Sequence, residues 1–224
     1  MPAIVELRQY TLCPGRRDVL IDLFDSRLVE PQEQDGMQVI GQFRDLDDPD
    51  RFVWLRGFPD MAERARGLAA FYGGPVWKAH REAANATMID SDDVLLLRPA
   101  RPHSGFVLGR ERNGGGGYVM ASVLQLGDPA EEPGAVSSFE DAIAPTVKES
   151  GGSVLAYFVT ETSENTFPSL PVREGEHVFV WFAGFADRGS LERAARRNGD
   201  DAQVLRLAPT SRSLLQGMER KESQ

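Results

Sequence analysis

The sequence predicts an α+β fold in which two tandem ferredoxin-like units pack sheet to sheet. In each half of the chain the predicted elements follow the order β-α-β-β-α-β, which places both helices on one face of an antiparallel sheet. A central strand motif also occurs twice, as FVWLRGF at residues 52–58 and FVWFAGF at residues 179–185. Five of its seven positions are identical, and a repeat of this kind indicates a duplicated structural unit.

The first unit, residues 1–99, begins with a strand over residues 4–12. Large and β-branched residues alternate with polar ones in this stretch, and Pro14-Gly15 closes it. The same periodicities assign the later elements, which are a helix over residues 17–33 that ends at Asp35-Gly36, strands over 37–44 and 51–58 around an acidic turn, a helix over 59–86 interrupted at 73–75, and a strand over 88–98.

Residues 100–117 have the composition of a linker. Pro102 and the glycine run 114–117 are typical of a connector, and the run lacks the trailing lysine of a phosphate-binding loop. The pattern then restarts in a second unit, residues 118–224. Its predicted elements are strands over 118–126, 153–160, 177–185 and 210–215, and helices over 135–149 and 190–197.

The duplication predicts how the units assemble. A unit of this type covers one sheet face with helices and leaves the other face bare, so two units can bury their bare faces against each other. On this arrangement we expect Val53 and Leu55 to face the helices. By the alternation of a strand, the side chains expected between the two sheets are Glu6, Arg8, Tyr10, Phe52, Trp54, Arg56 and Phe58.

Composition narrows the classes of function. The 224 residues are 41% hydrophobic and 26% charged, and they carry a net charge of −9. An acidic surface does not favour nucleic acid or anionic membranes, so we expect neither as a partner. Cys13 is the only cysteine and there are three histidines, so we expect no disulfide and no metal site. No signal segment and no membrane-spanning stretch is apparent, and we expect a cytoplasmic protein.

The strongest candidate site lies on the first predicted strand. Glu6 and Tyr10 are candidates for acid–base catalysis, if burial raises the pKa of Glu6 towards neutrality and Tyr10 stabilises a developing oxyanion. Arg8 and Arg56 would bind a carboxylate or enolate, and Trp54 and Trp181 would form apolar walls. The second unit places Met120, Ser122, Leu124 and Ala183 at the corresponding positions. This asymmetry favours one pocket with a polar wall, but a buried, catalytically idle ion pair between Glu6 and the arginines is an equal alternative.

Two further features are ambiguous from sequence alone. His80 is a candidate catalytic base, but no orienting acid stands at a suitable spacing, and packing on Trp77 is the simpler interpretation. The segment 161–176 is much longer than its counterpart at 45–50. Such a loop is either a lid or partner surface, or a tolerated insertion.

The stretches VELRQYTL at 5–12 and FYGGPVWKAHREAAN at 71–85 resemble the NIPSNAP family. The resemblance spans two tandem units, is clearest over residues 3–99, and implies the dimeric α–β barrel superfamily. Members of that superfamily include cofactor-free monooxygenases, haem-handling enzymes and small dehydratases or cyclases, so fold analogy alone does not choose a chemistry. The resemblance to the haem-handling members implies a second role for His80, as a candidate haem ligand.

These observations lead to two hypotheses of function. The first is a protein that binds a small, mostly apolar, oxygenated molecule between the sheets, with metal-free acid–base chemistry of the monooxygenase or isomerase/dehydratase type and no cofactor. The second is a non-catalytic binding or interaction protein with a satisfied polar core. Because each unit keeps an edge strand and apolar helix surface, we also expect a homo-oligomer.

Overall fold

Eight antiparallel strands form one closed barrel in the computed structural model, which describes residues 2–109, 112, 116–199 and 201–218. The order of strands around the barrel is β1-β3-β2-β8-β5-β7-β6-β4. Their bounds are β1 Ile4–Leu12, β2 Gln38–Asp45, β3 Arg51–Phe58, β4 Met88–Pro99, β5 Tyr118–Leu126, β6 Gly152–Thr160, β7 His177–Phe185 and β8 Ala202–Pro209. The residues outside this description are 110, 111 and 113–115 of the predicted linker, residue 1 of the first predicted unit, and residues 200 and 219–224 of the second.

Helices cover the outside of the barrel in both halves. The first half carries α1 Arg17–Leu23, a π-helical turn Phe24–Leu28, α2 Val29–Gln34, α3 Met61–Gly73 and α4 Pro75–Asn85. The second half carries a short 3-10 turn Pro129–Glu131, α5 Glu132–Ser138, a second π-helical turn Phe139–Ile143, α6 Ala144–Glu149 and α7 Arg188–Arg196. None of the helices in the described residues is both long and apolar enough to cross a membrane.

Local sequence explains where the helices start and end. The carboxylate of Asp60 caps α3 by accepting a hydrogen bond from the backbone N–H of Glu63 at 2.8 Å. Asp187 caps α7 in the same way and, like Asp60, follows the last phenylalanine of a repeated strand by two residues. Gly36 adopts a φ of +88° just after α2, a conformation that glycine accepts without a steric penalty. The duplication therefore extends to the helix caps.

The predicted α+β fold with two duplicated units is confirmed, and the two halves join through two short strand pairings. Strands β2 and β8 pair from Phe43–Pro209 to Asp45–Leu207, and β4 and β6 pair from Leu97–Thr160 to Pro99–Phe158. Both halves line one shared apolar core inside the barrel. Its buried residues include Val5, Leu7, Val53, Leu55, Val119, Ala121, Val178, Val180, Phe182, Leu205 and Leu207.

The predicted direction of the side chains on β1 and β3 is wrong. Val53 and Leu55, expected to face the helices, lie inside the barrel. Tyr10, Phe52, Trp54 and Phe58 instead pack in a second core with side chains of α1–α4, and Glu6, Arg8 and Arg56 share their side of the sheet. An eight-stranded barrel has an interior that side chains just fill. Buried charges need partners, and these come from the helix layer. The prediction that these side chains share one face of the sheet is confirmed, but that face contacts the helices and not the barrel interior.

The last strand is also misplaced in the sequence prediction. It spans Ala202–Pro209 rather than residues 210–215. The segment after it still follows β2, because the backbone N–H of Thr210 donates to the carbonyl of Gln42 at 2.8 Å and that of Leu215 donates to Ile40 at 2.7 Å. Leu215 thereby enters the barrel core without forming a regular strand.

We predict that replacement of Phe182 by alanine destabilises both halves together. Its ring lies 5.0 Å from that of Phe106 and 6.0 Å from that of Phe158, between centroids, in the shared core. Loss of a buried phenylalanine costs about 3–5 kcal/mol of unfolding free energy. In urea unfolding followed by tryptophan fluorescence and by circular dichroism, Phe182→Ala should lower the midpoint in both signals alike. Val107→Ala is the control, since Val107 is 82% exposed. Separate transitions for the two signals would contradict a shared core.

Candidate functional site

The candidate site lies between the sheet and the helices of the first half. Strands β1 and β3 are neighbours, and their register sets Glu6 opposite Arg56 and Arg8 opposite Trp54. The corresponding register in the second half sets Met120 opposite Ala183 and Ser122 opposite Trp181. The charged groups of the first half therefore have apolar or small counterparts in the second, as the alignment of the repeats predicts.

The carboxylate of Glu6 is fully buried and receives hydrogen bonds from three arginines. Its Oε2 accepts from Arg8 Nη1 at 2.9 Å, from Arg56 Nη2 at 2.6 Å and from Arg56 Nε at 3.0 Å. Its Oε1 accepts from Arg64 Nε of α3 at 2.8 Å. All four side chains are at most 1% exposed. We call Glu6, Arg8, Arg56 and Arg64 the arginine cluster.

Neutral groups complete the arginine cluster. The Arg56 Nη1 donates to Gln32 Oε1 at 3.0 Å, and the Arg8 Nε donates to the Tyr10 hydroxyl oxygen at 3.0 Å. The guanidinium of Arg56 also lies 5.0 Å from the centre of the Trp54 ring, a contact favoured by the ring quadrupole. The cluster is thus anchored to both strands and to α2 and α3.

The expected rise in the pKa of Glu6 does not occur. Burial alone would raise it, but the opposing charges of Arg56, Arg8 and Arg64 hold the pKa of Glu6 well below its usual range. Glu6 therefore remains a carboxylate at neutral pH and has little tendency to accept a proton. Burial raises the pKa of the Tyr10 hydroxyl despite the neighbouring Arg8, so Tyr10 stays protonated and can donate a hydrogen bond.

A narrow apolar pocket opens beside the cluster. Its volume is about 30 Å³, roughly the share of one water in the liquid. The walls come from β1, β3 and the helix layer and consist of Tyr10, Leu20, Phe24, Leu28, Gln32, Trp54, Phe71, Tyr72, Trp77, Ala84 and Met88. The indole N–H of Trp54 is buried and has no hydrogen-bond partner among the described residues. An orphaned donor in such a wall calls for an explanation.

The π-helical turns place an aromatic ring on each central tryptophan. Phe24 opens the first turn and packs edge-on against Trp54, with 4.8 Å between ring centroids. Phe139 opens the second turn and lies 5.5 Å from Trp181. The turns are therefore duplicated with the strands, and such turns are frequent at functional sites.

The structure brings together most, but not all, of the predicted site residues. Glu6, Arg8 and Arg56 form the cluster, while Tyr10 and Trp54 line the pocket. Trp181 belongs to the helix layer of the second half. His80 is half-buried on α4 but does not line the pocket, so the residues present do not fit a haem bound there through His80. Among the described residues, no group of three or more His, Cys, Asp or Glu side chains could hold a metal ion.

Several site residues escaped the sequence prediction. Arg64 and Gln32 are fully buried, and Asn165 of the loop 161–176 contacts Arg64. A signal for Arg64 existed, because it precedes the buried Leu68 by four residues and Phe71 by seven, which is the spacing of one helix face. The sequence indicated the burial of Gln32 in a similar way, because Gln32 follows the buried Leu28 by four residues. Nothing in the sequence indicated that Asn165 contacts the first half.

We predict that Glu6→Gln destabilises the fold at neutral pH by about 3–5 kcal/mol, because three buried guanidinium groups lose their only anionic partner among the described residues. The pKa of Glu6 is lower in the folded chain, so its ionised form stabilises the fold above the ordinary value of 4.5, and this contribution falls as pH decreases below it. The difference between wild type and Glu6→Gln should therefore shrink at acidic pH, as measured by urea unfolding.

The matched control is Glu149→Gln. Glu149 forms an exposed ion pair with Arg197 at 3.5 Å, and its side chain is 70% exposed, so its loss should change the unfolding free energy by less than about 1 kcal/mol. An equal effect of the two substitutions, or a difference between wild type and Glu6→Gln that grows in acid, would contradict the assigned role of Glu6.

Comparison with known proteins agrees with this architecture. The NIPSNAP family model matches residues 5–102, and no curated protein matches the chain. A proposed monooxygenase from Lactobacillus acidophilus NCFM has the same fold over 93% of this chain and 94% of its own, with a TM-score of 0.54 and 13% identity. One from Fusobacterium nucleatum covers 98% of both chains, with a TM-score of 0.55 and 8% identity.

A NIPSNAP-like domain protein from Burkholderia xenovorans is 26% identical and covers 46% of this chain and 88% of its own, with a TM-score of 0.42. The family match over residues 5–102 includes β2, β3, β4, all of β1 except Ile4, and the whole arginine cluster. The first half of the chain is therefore similar to the NIPSNAP family, and the chain as a whole has the fold of the two structures that it matches over nearly its full length.

Proposed function

We propose that the chain binds a small, mostly apolar, oxygenated molecule in the helix–sheet pocket of the first half. The observation that carries this proposal is the unpartnered indole N–H of Trp54 in a mostly apolar wall. A buried donor without a partner costs about 1–3 kcal/mol, and a ligand oxygen that accepts its hydrogen bond would recover that free energy.

Tyr10 supplies the second donor of the site. Its hydroxyl oxygen accepts from Arg8, which leaves its own O–H free to donate, and its ring lines the same pocket as Trp54. The two rings meet edge to face with 5.9 Å between centroids. Two donors on one wall would polarise a carbonyl or stabilise an enolate or phenolate. Arginine charge immediately behind Tyr10 would strengthen this polarisation.

The pocket must open before such a molecule fits. Tyr72 and Trp77 are only partly buried at its rim, and Phe167 of the loop 161–176 stacks on Tyr72 with 5.9 Å between ring centroids. We infer that these three rings move when the pocket opens, because Trp54 and Phe24 are buried in the core. We therefore assign the loop a lid role over the pocket.

Chemistry at this site would rest on Tyr10 and the bound molecule rather than on Glu6. A carboxylate that four donors already hold is a poor base, so proton transfer through Glu6 is disfavoured. Two proteins of similar fold are described as proposed monooxygenases. Oxygen uptake in the presence of a bound phenol or enol is the assay for that type of chemistry here, with Tyr10→Phe as the comparison.

Because four donors already bind the Glu6 carboxylate, the site also favours the second candidate function, a non-catalytic binding protein. In it the arginine cluster stiffens the pocket wall and takes no part in turnover. Ligand binding without oxygen uptake or isomerisation would select this candidate. Homo-oligomer formation stays a prediction.

We predict that Trp54→Phe weakens the preference of the pocket for a ligand that carries an oxygen. Cyclohexanone and methylenecyclohexane have nearly the same shape and differ in one carbonyl oxygen, so their relative affinity reports the hydrogen bond. Saturation-transfer NMR should show tighter binding of cyclohexanone to wild type. Because one hydrogen bond contributes about 1 kcal/mol, Trp54→Phe should reduce this preference about fivefold.

Trp181→Phe is the matched control, because Trp181 occupies the corresponding strand position in the second half and is equally buried. It should leave the preference unchanged. Equal affinities of the two probes for wild type, or a loss of preference in the control alone, would refute the proposed site.

A further inference from the structure

Arg64 has a hydrogen-bonding edge that the protein uses only in part. Its Nε donates to Glu6, and its Nη1 donates to Asn165 Oδ1 at 3.0 Å and to Thr166 Oγ1 at 3.3 Å. Its Nη2 is buried and has no partner among the described residues. The side chain as a whole is 0% exposed. The outer edge of this guanidinium, formed by Nη1 and Nη2, is thus half occupied by neutral oxygens.

The arginine cluster also lacks negative charge. It holds three guanidinium groups and one carboxylate, and Glu6 is the only acidic group within salt-bridge distance of the three arginines in the described part of the chain. Arginine does not deprotonate in proteins, so the cluster keeps two excess positive charges in a buried place. Unpaired buried charge is strongly unfavourable, and an anion at the cluster would relieve it.

The residues on the outer edge of Arg64 come from the other half of the chain. Asn165 and Thr166 belong to the loop 161–176. Asn165 Nδ2 donates to the carbonyl of Leu170 within the loop at 3.0 Å, and Thr166 Oγ1 donates to the carbonyl of Met61 of α3 in the first half at 3.2 Å. The carboxamide oxygen of Asn165 therefore occupies one of the two outer donors of Arg64.

We propose that the outer edge of Arg64 is a binding site for a small carboxylate, and that Asn165 occupies it when no ligand is bound. The parallel Nη1 and Nη2 donors match the two oxygens of a planar carboxylate, which is the preferred bidentate geometry of arginine. A bound carboxylate displaces the Asn165 oxygen and satisfies Nη2. The proposal does not rest on the pocket at Trp54, since Arg64 is not one of its walls.

Carbon-13 acetate is the probe, and its binding is followed by NMR line broadening of the labelled carboxylate at constant ionic strength. We expect saturable binding to wild type and about tenfold weaker binding to Arg64→Gln, because a charge-assisted hydrogen bond contributes more than a neutral one. Arg66→Gln is the control. Arg66 lies on the same helix, but its side chain is 70% exposed and pairs with Glu63, so acetate binding should not change.

Two substitutions of Asn165 make opposite changes at the same position. Asn165→Ala removes the competing oxygen and should strengthen acetate binding. Asn165→Asp supplies a carboxylate from the chain itself and should abolish acetate binding. This pair keeps the proposal testable even if Arg64→Gln does not fold.

Three results would overturn the proposal. They are acetate binding that Arg64→Gln leaves unchanged, equal losses in Arg64→Gln and Arg66→Gln, and acetate binding to Asn165→Asp as tight as to wild type. Inorganic phosphate serves as the competitor. Displacement of acetate by an equal concentration of phosphate would overturn the assigned preference for a planar carboxylate.

Discussion

The buried carboxylate of Glu6 is the group around which the first half is organised. It ties β1 to β3 through Arg56 and ties the sheet to α3 through Arg64. Breaking a buried ion pair by removing one partner is far more costly than losing a surface pair. The position of Tyr10 at the pocket wall depends on the same group, since Arg8 bridges Glu6 and the Tyr10 hydroxyl.

The apolar barrel interior explains why the polar groups lie outside it. Side chains such as Leu55 and Phe182 from both halves fill most of the interior, and the two amides on its face, Gln9 and Gln203, hydrogen-bond to each other. The helix layer differs, because its helices bring Gln32 and Arg64 towards the sheet and the loop from the second half adds Asn165. The two halves thus differ at corresponding positions, apolar or small in the second and charged in the first, and a loop of the second half contacts the cluster of the first.

The two proposed binding sites, the pocket and the arginine cluster, offer a ligand different physical interactions. The pocket presents rings and two hydrogen-bond donors, which suits an apolar body with one oxygen. The cluster presents excess positive charge, which suits an anion. They meet at Gln32, which lines the pocket and accepts from Arg56, and at the loop, where Phe167 covers Tyr72 and Asn165 covers Arg64. Movement of one loop would therefore uncover both.

The α+β class, the duplication and most element bounds could be predicted from the amino-acid sequence, because they follow from local periodicity and from an internal repeat. The same periodicity places five side chains on one sheet face, namely Glu6, Arg8, Tyr10, Trp54 and Arg56. Which layer that face contacts depends on the packing of the whole fold. Strand alternation has two equivalent solutions, and the choice depends on which side offers partners for buried charge. The lowered pKa of Glu6 and the contact of Asn165 with Arg64 likewise required the fold, since residues 101 positions apart meet only through long-range packing.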